Sequence, residues 1–350
     1  MTNTTTISQT DSVQKLALVL GATGGVGSAM AAKLSSRGYQ VRAMHRDAGA
    51  QAKKMPQYEW VNGDAMARAD VLAAAKGVEL IVHAVNPPGY RNWGTLVLPM
   101  IENTIVAAKA SGARILMPGT VYNFGPETFA NVTEDSPQRP QSFKGKIRVQ
   151  LEERLEAATH EGTQVILVRT GDYFGPGAES SWFSQVMIKP GAPVTKITSP
   201  SDPGVGHQWA YLPDVAETMM QLVERSEDLP TFARFHMEGV WDADGMQLSE
   251  SIRRVTGRPS LRTRRFPWWL LYLGAPFIAF FRELLEMRYL WRQPLHMRND
   301  KLVAFLGAEP HTPLDQAMRE TLRGLGCLEA SASSDPVTAA KGKGRAAVTA

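Results

Sequence analysis

Lys15-Leu-Ala-Leu-Val-Leu20 runs without interruption into Gly21-Ala-Thr-Gly-Gly-Val-Gly27. The first six residues form an apolar run of strand length. Beyond the glycines, Met30, Ala31 and Leu34 recur at helical spacing and Gly38 stops the helix. Tyr39-Gln-Val-Arg-Ala-Met44 reads as the next strand. Strand, glycine-rich turn, helix and strand is the order a dinucleotide site requires. The turn must be tight, the backbone must approach a pyrophosphate closely, and a bare helix N-terminus must face the negative charge. Gly21, Gly24 and Gly27 meet those needs, with Thr23, Gly25 and Val26 completing the cradle. Alone, the glycine pattern also fits an ordinary tight turn. Its flanking elements favour the nucleotide.

The same alternation continues outward. Val61-Asn-Gly-Asp64 closes a third short strand, where Asp64 is either an acceptor for adenine or a turn residue. Val78–Val85 is a fourth strand, and Ala84, Val85 and Asn86 open into a polar and aromatic loop ending at Trp93. A helix over 97–111 and a strand over 114–117 follow. Strands that are apolar on both faces and alternate with helices predict an α/β fold, with a Rossmann-like doubly wound parallel sheet. At the end of the second strand, Arg46 suits a ribose 2′-phosphate through its bidentate fork. NADP is therefore the expected cofactor, with NAD as the alternative that Asp47 keeps open.

Further pieces occur in a familiar order: Gly63-Asp64, His83-Ala-Val85, Gly119-Thr-Val-Tyr-Asn-Phe-Gly125, Val168-Arg-Thr-Gly-Asp-Tyr-Phe-Gly-Pro176 and Tyr211-Leu-Pro-Asp-Val-Ala216. With the glycine turn they cover roughly residues 13–260 and are specific in combination. On these residues the chain resembles the short-chain dehydrogenase/reductase superfamily, in its extended and atypical branch of NAD-dependent epimerase/dehydratase-like proteins. The resemblance implies a smaller, mostly helical C-terminal substrate domain. It also implies catalysis by a Ser or Thr and a Tyr-x-x-x-Lys pair. Gln141–Glu152 holds no such pair. Alignment on the following Glu puts Lys144 at the Tyr position and Arg148 at the Lys position. Thr120 is the nearest hydroxyl to the family's Ser position, and Tyr122 is a substitute phenol beside the crevice. Lys144 also resembles the lysine of atypical reductases that work without the Tyr. Lys144 and Arg148 are expected to be cations that hold the cofactor ribose or form a solvated helix face; the alternative is that Lys144, beside the cationic Arg148, exchanges protons with a lowered proton affinity.

The expected activity is thus an atypical NAD(P)-dependent oxidoreductase acting on a carbonyl or conjugated group of a fairly apolar or aromatic small molecule. Two alternatives stand beside it: a non-catalytic NAD(P) sensor, and a sugar-nucleotide epimerase or dehydratase-like enzyme. The seven histidines show no metal-ligand spacing, so no metal is expected. Cys327 is the one cysteine, which excludes an intramolecular disulfide framework. With 38 Lys+Arg against 34 Asp+Glu over 350 residues, the net charge of +4 gives no support for nucleic-acid binding.

Residues 1–12 read as a flexible lead without signal-peptide features, which predicts a cytoplasmic location. Residues 329–350 read as a disordered tail. Between them, residues 13–175 with a return over 205–235 read as the dinucleotide domain. Residues 176–204 and 236–328 read as the substrate cap. Within the cap, arginines at 253, 254, 258, 262, 264 and 265 lead into the apolar run Pro267–Phe281. Fifteen residues with Pro276 inside are too short for a bilayer crossing. The first reading is a core helix pair, broken at Gly274-Ala-Pro276, that also walls a pocket. A homodimer contact is second and a peripheral membrane contact third.

Overall fold

The computed structural model describes residues 15–87, 89 and 91–329. The expected lead over 1–12 lies outside them, as does the expected tail apart from Glu329. In the first half, apolar runs and helical repeats resolve into an unbroken alternation. It comprises β1 (Leu16–Leu20), α1 (Gly25–Ser36), β2 (Gln40–His45), α2 (Ala48–Lys54), β3 (Glu59–Asn62), α3 (Arg68–Ala74), β4 (Leu80–His83), α4 (Trp93–Ser111), β5 (Arg114–Gly119), α5 (Phe143–Thr159) and β6 (Val165–Arg169). After an excursion through β7 (Asp172–Phe174), β8 (Ile197–Ser199), β9 (His207–Tyr211) and α6 (Leu212–Glu224), β10 (Phe232–His236) returns to the sheet edge.

The seven strands lie in the order β10-β6-β5-β4-β1-β2-β3, all parallel. The order reverses between β1 and β4, and such a switch point opens a crevice at the carboxyl ends of the strands. Both faces are buried. Met30, Ala31 and Leu34 of α1 pack with Val215 and Met219 of α6 on one face. Val71 of α3, Ile101 and Ile105 of α4 and Leu151 of α5 cover the other. This is the doubly wound arrangement expected from the apolar strands.

The remaining chain forms β11 (Val240–Asp242), α7 (Gln247–Thr256), β12 (Thr263–Arg265), α8 (Trp268–Gly274), α9 (Ala279–Glu286), α10 (Asp300–Leu306) and α11 (Leu314–Gly324). Strands β11, β9 and β7 make a small sheet, and β12 pairs with β8. Their shared core is aromatic: Trp182, Phe183, Trp209, Trp268 and Trp291 are buried together. His207 stacks on Trp291 at 3.8 Å and meets Asp172 Oδ2 at 2.7 Å. The expected helix pair exists as α8 and α9, broken near Gly274. Trp268, Leu271, Phe281, Leu284 and Leu285 face this core. The start of α7 is capped from outside the helix. Asp242 accepts from the N–H groups of Gln247 and Leu248 at 3.1 and 3.4 Å, because the strand before the helix delivers that carboxylate to its first turn. No helix among the described residues is long and apolar enough to cross a membrane.

One buried polar network braces the strand ends beneath the crevice. Arg169, the last residue of β6, is fully buried and donates to Glu152 of α5 at 2.8 Å. It also donates to His236 Nε2 at 3.1 Å and to the carbonyl of Thr120. Glu152 accepts in addition from Asn123 at 2.9 Å and Gln138 at 3.0 Å. Removing one member of a buried charge network strands the others. Arg169→Leu should therefore lower stability by about 3 kcal/mol in urea titrations, and a loss under about 1 kcal/mol would contradict this account.

Two buried histidines make stability acid-sensitive. Burial and then the charge of Arg148 hold His83 at about 3, and burial and then Arg169 hold His236 well below its ordinary value. Unfolded, both gain a proton near pH 6.5, whereas folded His83 stays neutral down to about pH 3. Their contribution is complete above about pH 6.5 and is lost as pH falls below it, at about 1.4 kcal/mol per pH unit for each. Chemical denaturation across this range should show that slope, and His83→Gln should roughly halve the histidine part of it.

Candidate active site

Three backbone segments meet where β1 ends. Gly21 has φ +89, and a Cβ there would lie 2.5 Å from the carbonyl oxygen of Ala84. A Cβ on Gly27 would lie 2.0 Å from the carbonyl oxygen of Gly21. Side chains at these positions would force β1, α1 and the loop after β4 apart. Gly24 differs, since its nearest neighbour to a built Cβ is 3.4 Å away. It caps α1 with no side-chain hydrogen bond, and the first turn holds no acidic residue. The first N–H groups of a helix have no acceptor within it, and the helix dipole adds positive potential there. Thr23 and Gly24 are exposed and Gly25 and Val26 half-buried, leaving an open concavity able to hold a pyrophosphate.

At the end of β2 the two candidate cofactor-selecting residues take different paths. Asp47 Oδ1 accepts from the N–H of Ala50 at 3.0 Å, and the Asp47 N–H donates to His45 Nδ1 at 2.9 Å. This carboxylate is committed to capping α2. Arg46 is exposed beside it. Asp64 behaves as a turn residue: it accepts from Met66 N–H at 3.0 Å and donates its own N–H to Asp70 at 2.9 Å.

The opposite end of the crevice centres on Arg148. This residue of α5 is buried and donates to Asn86 Oδ1 at 3.1 Å. Its guanidinium lies 4.8 Å from the ring of Trp93, a favourable cation–π placement. Burial pulls its proton affinity down, against the attraction of Tyr122, Glu152 and Tyr173. Its Nε is buried with no hydrogen-bond partner among the described residues. Tyr122 sits on the helical turn Val121–Asn123 with its ring 6.3 Å from Trp93. The Tyr173 hydroxyl accepts from Thr170 Oγ1 at 2.9 Å, and burial raises its proton affinity. Thr120 donates to Asn123 Oδ1 at 3.2 Å.

Lys144 has surroundings that differ from those expected. Its ammonium is fully buried and engaged by Glu283 and Glu286 of α9. Its backbone N–H donates to Glu286 Oε1 at 3.0 Å. The sequence sets it one helical turn before the cationic Arg148, and the fold adds two carboxylates from α9. These partners lie 139 and 142 residues further along the chain, beyond any local pattern. Trp93, which the sequence places at the end of a polar and aromatic loop, lies against Arg148, and Tyr173 is within electrostatic reach of it. Among the described residues, no three His, Cys, Asp or Glu side chains are grouped to hold a metal ion.

Comparison with known proteins places this geometry. The profile of the NAD dependent epimerase/dehydratase family matches residues 17–235. Human sterol-4-alpha-carboxylate 3-dehydrogenase, decarboxylating, is 28% identical over 173 residues, which are 46% of this chain and 45% of that protein. The dTDP-6-deoxy-L-talose 4-dehydrogenase (NAD(P)(+)) of Kitasatospora kifunensis is 27% identical over 172 residues, 45% of this chain and 52% of that one. The chain thus spans about half the length of the curated relatives it matches. Among solved structures, MoeE5 in complex with UDP-glucose and NAD shares the fold with a TM-score of 0.64 at 17% identity, over 89% of this chain and 98% of that one. With the family profile covering well over half of the sequence and the glycine cradle in place, the chain belongs to the NAD dependent epimerase/dehydratase family.

Proposed function

We propose that the chain is an NADP-preferring oxidoreductase in which Arg148 replaces the family's ribose-holding lysine and Tyr122 serves as the proton-transferring phenol. The observation that carries this reading is the buried, unpartnered Nε of Arg148 beside Tyr122 and Asn86. A buried guanidinium N–H without an acceptor is costly, and a ribose hydroxyl at this end of the crevice would satisfy it. The open N-terminus of α1 suits the pyrophosphate, and Arg46, freed by the capping role of Asp47, suits a 2′-phosphate. The residues therefore fit a dinucleotide at both ends. Gly21, Thr23, Gly24, Gly25, Val26 and Gly27 would form its cradle, with Ala84, Val85 and Asn86 along the crevice. When bound, the nicotinamide supplies or accepts hydride.

The chain's own groups divide the remaining work. Arg stays protonated at any working pH, so Arg148 orients and stabilises charge and cannot relay a proton. Its fixed positive charge lies where a phenolate at Tyr122 would develop during proton exchange with a substrate oxygen. Asn86 and the face of Trp93 hold the guanidinium in place. Lys144, engaged by Glu283 and Glu286, secures the start of α5.

For the substrate, the comparisons favour a nucleotide-linked sugar: a dTDP-deoxysugar dehydrogenase is a partial relative, and MoeE5 was solved with UDP-glucose. The aromatic C-terminal core and the sterol-carboxylate dehydrogenase relative support an apolar ring substrate as the second reading.

Calorimetry should show NADP binding more tightly than NAD. Arg46→Ala should weaken NADP about 10- to 100-fold, the loss of one charge-assisted contact, and leave NAD nearly unchanged. Equal losses for both cofactors would refute the 2′-phosphate role. With UDP- and dTDP-keto sugars and apolar cyclic ketones as a panel, Tyr122→Phe should lower kcat about 10²- to 10⁴-fold at unchanged cofactor affinity. Arg148→Met should weaken cofactor binding as well. Tight binding with no turnover across the panel would favour the sensor reading instead.

A further inference from the structure

We propose that the hairpin formed by α8 and α9 is a surface anchor for an anionic bilayer. The hairpin has two unlike faces. Trp268, Leu271 and Phe281 join the aromatic core. The outer face presents Trp269, Leu270, Tyr272, Leu273, Phe277 and Ile278 to solvent, with Phe277 88%, Leu273 66% and Trp269 61% exposed. A contiguous apolar surface of this kind marks an interaction site.

The outer face is held in shape by the fold. A Cβ on Gly274 would lie 2.6 Å from the ring of Phe281, so only glycine lets the two helices close. The N–H groups of Phe277 and Ile278 both donate to the carbonyl of Gly274, at 3.0 and 2.9 Å. Arg282 donates to the carbonyl of Ala275 at 2.8 Å, and Arg288 to the Tyr272 hydroxyl at 2.6 Å. The exposed side chains are thus presented on a braced turn.

Charge identifies the occupant. From Arg258 to Arg282 the chain carries five arginines and no Asp or Glu. Arg258, Arg262 and Arg264 share an open cleft of about 390 Å³ with Lys196, and no carboxylate lines it. The cleft is tied to the hairpin base, because β12 pairs with β8 and Trp268 Nε1 donates to the carbonyl of Pro200 just beyond β8. Arg265 and Trp269 are four residues apart, at most about 14 Å of chain. A symmetric contact with a second copy would set this arginine rim against itself. A bilayer with anionic headgroups complements it: guanidinium groups pair with phosphates, Trp and Tyr rings sit at headgroup level, and apolar side chains enter the acyl boundary. Helix α8 has seven residues, about 10 Å, a length for shallow insertion and far below a span. A Cβ on Gly89 would lie 4.0 Å from the Phe280 ring, so the anchor adjoins the loop at the crevice mouth.

Co-sedimentation of the full chain with vesicles tests this. Binding is expected to phosphatidylcholine vesicles containing phosphatidylserine, with little to phosphatidylcholine alone, and salt should weaken it. Combined Trp269→Ser, Leu273→Ser and Phe277→Ser should abolish binding. Combined Arg262→Gln, Arg264→Gln and Arg265→Gln should weaken it about a hundredfold. All six side chains are exposed, so the melting curves of the variants should match that of the parent, and the vesicle comparison on the unaltered chain needs no variant. Equal binding to both vesicle types, or binding to neither, would overturn the proposal. A dimer in sedimentation velocity that ignores vesicles and dissociates in the triple serine variant would give the face to a second copy.

Discussion

The close approach of Gly21 to Ala84 and Gly27 is the constraint on which the rest of the crevice depends. Three backbones meet with no side chain between them. That contact sets how near α1 comes to the sheet, and hence where the helix presents its unsatisfied N–H groups. It also fixes the start of the loop after β4, which carries Asn86 to Arg148. The N-terminus of α1 and the Asn86–Arg148 end of the crevice are therefore both positioned by one packing event at the switch point of the sheet.

Much of this was legible in the sequence because its signals are local. The glycine turn, the apolar strands and the repeat Met30-Ala31-Leu34 lie within a few residues of one another, and the fold follows from their alternation. Counting along one helix sets Arg148 one turn after Lys144 on α5. What stayed hidden depends on long-range closure. Glu283 and Glu286 reach Lys144 only after the whole C-terminal region has folded back. The cap of α7 is of the same kind: its first N–H groups are met by Asp242, a carboxylate at the end of β11 and outside the helix. Arg169 gave a signal that was passed over: a charge ending the apolar run Val165–Val168, in a strand buried on both faces, needs a partner.

In the proposed reading, an Arg in place of the family's lysine changes the division of labour. A lysine can both hold a ribose and pass a proton, since its charge responds to its surroundings. A guanidinium offers more donors in a fixed plane and keeps its charge. Catalysis as proposed here would draw its proton from another group, and Tyr122 and Tyr173 are phenols within electrostatic reach of Arg148. The Trp93 ring 4.8 Å from the Arg148 guanidinium fits that reading, because an aromatic face suits a flat cation.

The grip of Glu283 and Glu286 on the first turn of α5 has a thermodynamic corollary. They hold both the ammonium and the backbone N–H of Lys144, one helical turn before Arg148. Helix α9 and the crevice residue Arg148 are thus both attached to the first turns of α5. Whatever free energy couples a ligand of the crevice to the placement of α9 through these contacts must, by linkage, act with the same magnitude in reverse.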